Sequence, residues 1–311
     1  MKKISFYFSL LLIISLSSCI TYVEKDLDIK PKLVLCGYLV PQLDTTIVTL
    51  TNSATLFSKK PHKIEVVDNA TVEISENNVQ WVKMEFSWLY QHYFITQSQF
   101  PIREGKTYYI RASAPGFETV LASCTVPFLR ETNFNFKIEE AINDIHSGNL
   151  YSWLHYHGCL EWTDYPGEEN YYMFCHNSLE MMFSWNYDPE TDEFIIDTSY
   201  HYARGFFHDM NYKPCIYSDK GQDGKKMSAT ISTNSAFTMN DIKDTIVNIR
   251  LLQTDKNCYL LEKSLIDSND DMQFFLLEPM KIYSNIKNGY GIFGAFVMRD
   301  YVFEFEEEDL R

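Results

Sequence analysis

The sequence predicts a mainly β protein, built as an antiparallel sandwich followed by a second mainly-β domain with one or two helices. Three observations lead there. Short runs rich in Val, Ile, Thr, Tyr and Phe recur from Lys32 to Pro127, and these residue types fit a pleated, half-buried surface. Turn-forming pairs separate them, among them Asp68-Asn69, Asn77-Asn78, Glu104-Gly105 and Pro115-Gly116. A helical spacing of apolar residues stands out best in Lys256 to Asp267, and the less regular Phe128 to Gly148 has room for a short second helix. Strands at this spacing, without helices between them, give the first hundred residues or so an immunoglobulin-like character.

The chain opens on a leader, residues 1–18. Lys2 and Lys3 supply a positive start, and Ile4 to Leu16 form an apolar run of signal-peptide length. Leu16-Ser17-Ser18-Cys19 then reads as a lipobox. It resembles the signal of bacterial lipoproteins, in which the cysteine thiol is lipidated and the chain is cut just before it. Cys19 is therefore the expected lipidation site, with palmitate-class acyl chains as the anchor. The 13 residues from Ile4 to Leu16 fall short of the roughly 20 that span a bilayer, and no later stretch is apolar enough to do so. Two acyl chains hold a protein at a membrane durably, since each buried methylene contributes about 0.8 kcal/mol.

Residues 19–30 are polar and without period, a tether. Glu24, Asp26 and Asp28 loosely match acidic export signals. Loss of Lys2 and Lys3 with the leader takes the formal charge from −15 to −17. So acidic a chain argues against nucleic acid as a partner, because phosphate binding rests on a basic surface.

The first domain, 31–128, takes its strands in order: Lys32 to Val40, Thr46 to Thr51, Ala70 to Ser75, Val79 to Glu85, His92 to Gln97, Lys106 to Ser113 and Thr119 to Pro127. Alternate residues of Thr107 to Ser113 can face core and solvent, and Pro115-Gly116 turns the chain back beside it. The second domain, 129–311, resumes with Tyr151 to Trp162, Asn170 to His176, Leu179 to Asn186, Glu193 to Thr198, Lys226 to Thr233 and Thr245 to Thr254. In the helix Lys256 to Asp267, Cys258, Leu261, Glu262 and Leu265 share one face. Met280 to Ile286 and Gly291 to Phe305 close the chain as strands.

Six further cysteines, Cys36, Cys124, Cys159, Cys175, Cys215 and Cys258, permit up to three disulfides in an exported chain. Cys36 with Cys124 is the expected pair, each in a strand at opposite ends of the first domain. Buried free thiols are the competing reading. No spacing matches a zinc or C-x-x-C site.

Gly289-Tyr-Gly-Ile-Phe-Gly294 has the letters of a dinucleotide-binding fingerprint, but strand formers follow it where a helix must receive the pyrophosphate. It reads as a turn or bulge, and no cofactor is expected. Trp153, His155, His157, Cys159 and Glu161 share one strand face, where residues two apart sit nearly 7 Å from each other, so a solvated face is favoured over a metal site. Ser218 to Lys225 resembles a calcium loop only in part: Asp223 and Gly224 fit, but Gly221 and Thr230 stand where ligands belong, and a tight turn is favoured. The acid pair Glu168 and Glu169 is not singled out as catalytic, and G-x-S-x-G, H-E-x-x-H and P-loop patterns are lacking. Trp88 with Tyr90 and Trp185 with Tyr187 are the candidate ligand contacts, rings that stack on sugars or fill a core.

Glu278-Pro-Met-Lys-Ile-Tyr-Ser-Asn-Ile-Lys-Asn-Gly289, running on to Ala295, resembles the closing signature of a bacterial lipoprotein family catalogued as domain of unknown function 4249. The lipobox, Pro31-Lys-Leu-Val-Leu with Gly37, Gly105-Lys-Thr-Tyr-Tyr, Asn170-Tyr-Tyr and the Ser218-Asp to Asp223-Gly-Lys turn agree with it. The family's usual Leu-Gly-Tyr appears here as Tyr290-Gly-Ile. The resemblance implies an outer-membrane lipoprotein, facing the cell surface or the periplasm, commonly encoded beside TonB-dependent receptors. It therefore implies a non-enzymatic accessory in nutrient capture or uptake, with such a receptor as partner and no catalytic residues to carry over. The alternatives are a glycan-binding or glycan-degrading surface lipoprotein, with a glycan or peptide ligand, and a structural adhesin.

Overall fold

The computed structural model describes residues 30–54, 63–145, 151–188, 193–206, 215–238, 245–270 and 281–305. Among them are sixteen strands and one helix. In the first module these are β1 (Leu33–Leu39), β2 (Thr45–Asn52), β3 (Thr71–Ser75), β4 (Val82–Lys83), β5 (Glu85–Ser87), β6 (His92–Thr96), β7 (Thr107–Ser113) and β8 (Val120–Thr125). In the second they are β9 (Asn135–Ile145), β10 (Tyr151–Thr163), β11 (Tyr171–Asp188), β12 (Glu193–Phe206), β13 (Ile216–Ser218), β14 (Lys226–Thr238), β15 (Thr245–Thr254), α1 (Lys256–Asp270) and β16 (Tyr290–Phe305). No helix among the described residues is long and apolar enough to cross a membrane.

The first module is a β-sandwich. One layer runs β4-β3-β7-β8, and the other runs β16-β1-β2-β6-β5. Alternation of side chains explains the pairing: Leu33, Leu35 and Leu39 of β1 point into the same core as Val48 and Leu50 of β2, Val72 and Ile74 of β3, and Tyr108 and Ile110 of β7. The expected strand Val79 to Glu85 is split, because the chain changes layer there. Buried Met84 separates β4 from β5, donating its N–H to the Val72 carbonyl at 2.9 Å. The buried Tyr93 hydroxyl fixes the turn before β3, donating to the Val67 carbonyl at 2.8 Å and accepting the Ala70 N–H at 2.9 Å.

The second core lies between β14-β10-β9 and the strands β11, β15 and β16, and is largely aromatic: Phe136, Trp162, Tyr172 and Phe174, with Phe134, Tyr301 and Phe303 against them. Asn170 to His176 and Leu179 to Asn186, read as two strands, fuse into the 18 residues of β11.

The C-terminal strand belongs to both modules. Its first part, Tyr290 to Ala295, pairs in parallel with β1, and its second, Phe296 to Phe305, pairs antiparallel with β15. The first sandwich, expected from 31–128 alone, is thus completed by residues near the end of the chain. One sheet, ordered β12-β11-β15-β16-β1-β2-β6-β5, runs through both modules. The expected strand Met280 to Ile286 is irregular over its described residues; there the Asn285 amide donates to the Ser123 and Phe293 carbonyls at 3.2 and 2.7 Å.

α1 starts where the sequence places it. Asp255 is its N-cap, its Oδ1 accepting the Cys258 N–H at 2.9 Å. Cys258 is buried, whereas Leu265, expected on the same face, is exposed.

The expected Cys36–Cys124 disulfide is not formed, and both are free thiols. β1 explains why: its even-numbered positions turn away from the core that receives Leu33, Leu35 and Leu39, so Cys36 faces outward while Cys124 points in. Burial raises the pKa of both thiols, which keeps them protonated.

Candidate functional site

The 218–225 turn acquires a partner that sequence spacing does not reveal. β10 and β14 pair with Thr163 opposite Lys226, which sets Asp164 beside the turn, its N–H donating to the Lys225 carbonyl at 3.0 Å. Carboxylate oxygens of Asp164, Asp219 and Asp223 consequently lie within 4.8 Å of one another, the first two residues buried and the third exposed. Each is held by donors. Asp164 accepts the Tyr172 hydroxyl and the Gly224 N–H, both at 2.7 Å; Asp219 accepts the Asn170 N–H at 3.0 Å; Asp223 accepts the Gly167 N–H at 2.7 Å. Burial, then the charges of Asp164, Asp223 and Glu169, push the Asp219 carboxyl up from the ordinary range, against the opposing pull of the Asn170 hydrogen bond. Burial and the bond to Asp164 raise Tyr172 as well. These are the described residues able to hold a cation. Three carboxylates fall short of the six to eight oxygens calcium takes, so carbonyls or water would have to complete a shell.

A second cluster ties the modules together. Arg130 lies across the rings of Phe128 and Tyr165, at 4.6 and 4.2 Å, and grips Glu168 through two hydrogen bonds of 2.7 and 3.0 Å. The Gln253 side chain accepts the Arg130 N–H at 2.7 Å and donates to its carbonyl at 3.2 Å. Glu169 accepts from Tyr171 Oη at 2.8 Å and pairs with Lys256 at 3.0 Å. The acid pair is therefore spent on the junction. Beside it is a cavity of about 210 Å³ lined by Glu168, Tyr171, Gln253 and Thr254, and the buried Thr254 hydroxyl has no hydrogen-bond partner among the described residues.

The glycine motif is an assembly device. Gly291 has φ +106°, and a Cβ there would run into the Leu35 carbonyl of β1; a Cβ at Gly294 would run into Cys258 Sγ of α1. Bare backbone lets β16 pair with β1 on one flank and receive the helix on the other. Strand β16, not a helix, follows.

A family model described as a domain of unknown function (DUF4249) matches residues 20–300. The chain belongs to the DUF4249 family. No curated protein matches it. Among solved structures it is similar to one titled "Biofilm associated protein - BSP domain", at 5% identity and a TM-score of 0.17, over 87% of this chain and 59% of that one. So low a score carries no weight for fold or function.

In this DUF4249 member the expected ligand-contact residues fall on different elements. Trp88 and Tyr90 stand 69% exposed at the tip of the β5–β6 hairpin. Trp185 and Tyr187 lie on β11, in a part whose side chains are outside the described residues, as is Cys19. On β10, His157, Cys159 and Glu161 share the half-exposed face, with Leu160 and Trp162 buried opposite, and Glu161 pairs with Lys226 at 2.7 Å. Sequence reading misses Asp164 and Arg130, since each acts through a partner 38 or more positions away.

Proposed function

We propose that the mature protein is a non-enzymatic lipoprotein, anchored through Cys19 in the outer membrane and acting as an accessory to a TonB-dependent receptor in nutrient capture or uptake. The observation that carries this reading is Leu16-Ser17-Ser18-Cys19 at the end of a charged, then apolar, leader. Family membership supports it through the receptor association that the sequence resemblance implies. An affinity pull-down from detergent-solubilised outer membranes, comparing wild type with Cys19→Ala, tests it. Recovery of a TonB-dependent receptor with the wild type, weakened in the variant, is the expected result; recovery of the lipoprotein alone contradicts the accessory role. A second reading, glycan binding at the surface, is favoured by the exposed rings of Trp88 and Tyr90. Binding on a glycan array that is lost in Trp88→Ala would move the weight to it.

A further inference from the structure

The β5–β6 hairpin ends in Trp88, Leu89 and Tyr90, which are 69, 80 and 69% exposed. Three large apolar side chains in water at one tip form a feature that a folded domain keeps for a reason. The tip is also braced. The Gln91 N–H donates to the Ser87 carbonyl at 2.8 Å, the Gln91 side-chain amide to the Trp88 carbonyl at 2.7 Å, and the Tyr90 N–H to Ser87 Oγ at 3.3 Å. Trp88 packs edge-on against Phe86, centroids 5.0 Å apart, and Tyr90 stacks on His92 at 5.7 Å. The rings are presented, not left loose.

Strand register places this tip in the molecule. Leu33, at the start of β1, is opposite Asn52 at the end of β2; Val48 of β2 is opposite Tyr93; and His92 is opposite Ser87. The hairpin tip and the point where the chain enters β1 therefore lie at the same end of the sandwich. Ile64, 63% exposed, and Tyr290, 50% exposed with Lys32 Nζ 5.4 Å over its ring, share that end. The Asn52 side chain ties the neighbouring segment to that end, donating to the Lys63 carbonyl at 3.2 Å and accepting the Glu65 N–H at 2.7 Å.

From Cys19 to Lys30 there are 11 peptide steps. Fully extended, they reach about 40 Å at most, so an acyl anchor on Cys19 tethers the chain to the bilayer at the end of the sandwich from which it emerges, the end that carries the tip. Tryptophan and tyrosine are the side chains that settle at the headgroup level, with an apolar body and a polar handle, and leucine suits the acyl boundary. We infer that the Trp88-Leu89-Tyr90 tip dips into the lipid interface beside the anchor and stands the sandwich end-on against the membrane. This rests on the lipid-anchor reading above and adds to it the surface that meets the lipid.

The test uses the full lipidated protein in phosphatidylcholine vesicles whose acyl chains carry bromine, a contact quencher of tryptophan. Wild-type emission should be quenched relative to unbrominated vesicles, and Trp88→Phe should lose most of that quenching. Leu89→Ser, at a side chain too exposed to matter for folding, should shift the remaining Trp88 emission to the red. Quenching that persists undiminished in Trp88→Phe overturns the inference, as does its absence from wild-type protein that floats with the vesicles. Shielding of Trp88 that appears only when solubilised outer-membrane proteins are added also overturns it, and assigns the tip to a protein partner. Protein that fails to float contradicts the anchor itself, and the inference falls with it.

Discussion

The two modules solve the same packing problem with different side chains. Apart from the shared β16, the first sandwich has strands of two to eight residues around a core dominated by Leu, Ile and Val. Most strands of the second are longer, up to 18 residues, and its core is a stack of rings, with Trp162 touching Tyr172, Phe174 and Tyr217 at centroid distances of 5.7, 4.8 and 5.3 Å. Aliphatic packing is set by volume and tolerates exchange of shape, whereas ring packing is set by angle and by what becomes of each polar handle. In the second core one handle is unmet among the described residues, for Trp162 Nε1 has no hydrogen-bond partner there. The modules differ again in closure, since the first is finished by a strand from the far end of the chain.

The sharpest way to break that closure is Gly291→Ala. The backbone is in the left-handed region and the added methyl meets the Leu35 carbonyl, so neither side can yield cheaply. A loss of about 4 kcal/mol or more is expected in urea unfolding, with the first module opening early. Next, Leu50→Ala in the first core and Trp162→Ala in the second should each cost about 3–5 kcal/mol, while Trp162→Phe should cost under about 1.5 kcal/mol, because the cavity it leaves is offset by removing a buried unmet donor. A Trp162→Phe loss as large as that of Trp162→Ala would contradict the ring-packing account. At the junction, Arg130→Met keeps the stem but drops the fork to Glu168; about 1–2 kcal/mol is expected, seen as separate melting of the modules by calorimetry.

The smallest effect tests the acidic turn. A carboxyl whose folded pKa is raised favours folding while protonated and loses that contribution as pH rises through the folded value, so Asp219 weighs against the fold near neutrality. Asp219→Asn should therefore gain up to about 1 kcal/mol at pH 7, with the difference shrinking towards pH 4. A pH-independent difference in urea midpoints would show that carboxylate crowding is not its source.

The alternation of β7 and the place of α1 are legible in the sequence because each depends on near neighbours: a period of two beside a turn pair, and Cys258, Leu261 and Glu262 three and four positions apart. The parallel union of β1 with β16 was not, since Leu35 and Gly291 meet across the whole chain and no local pattern encodes a partner. Gly291 and Gly294 were visible as letters, and only the crowding by Leu35 and Cys258 gives them meaning. Asp219 and Asp223 were visible in their turn, whereas Asp164 joins them through the β10–β14 register. The disulfide expectation used position along the chain and ignored facing, which the parity of Cys36 within β1 decides. Trp88 and Tyr90 were found as aromatics, but the end of the sandwich they occupy required the strand pairing.

Lipid anchoring through Cys19 is checked by mass spectrometry of the mature N-terminus after purification from outer-membrane fractions. The expected result is a chain beginning at Cys19 that carries a thioether-linked diacylglycerol and an amide-linked acyl chain. A mature chain beginning elsewhere, or an unmodified Cys19 in the soluble fraction, would contradict it.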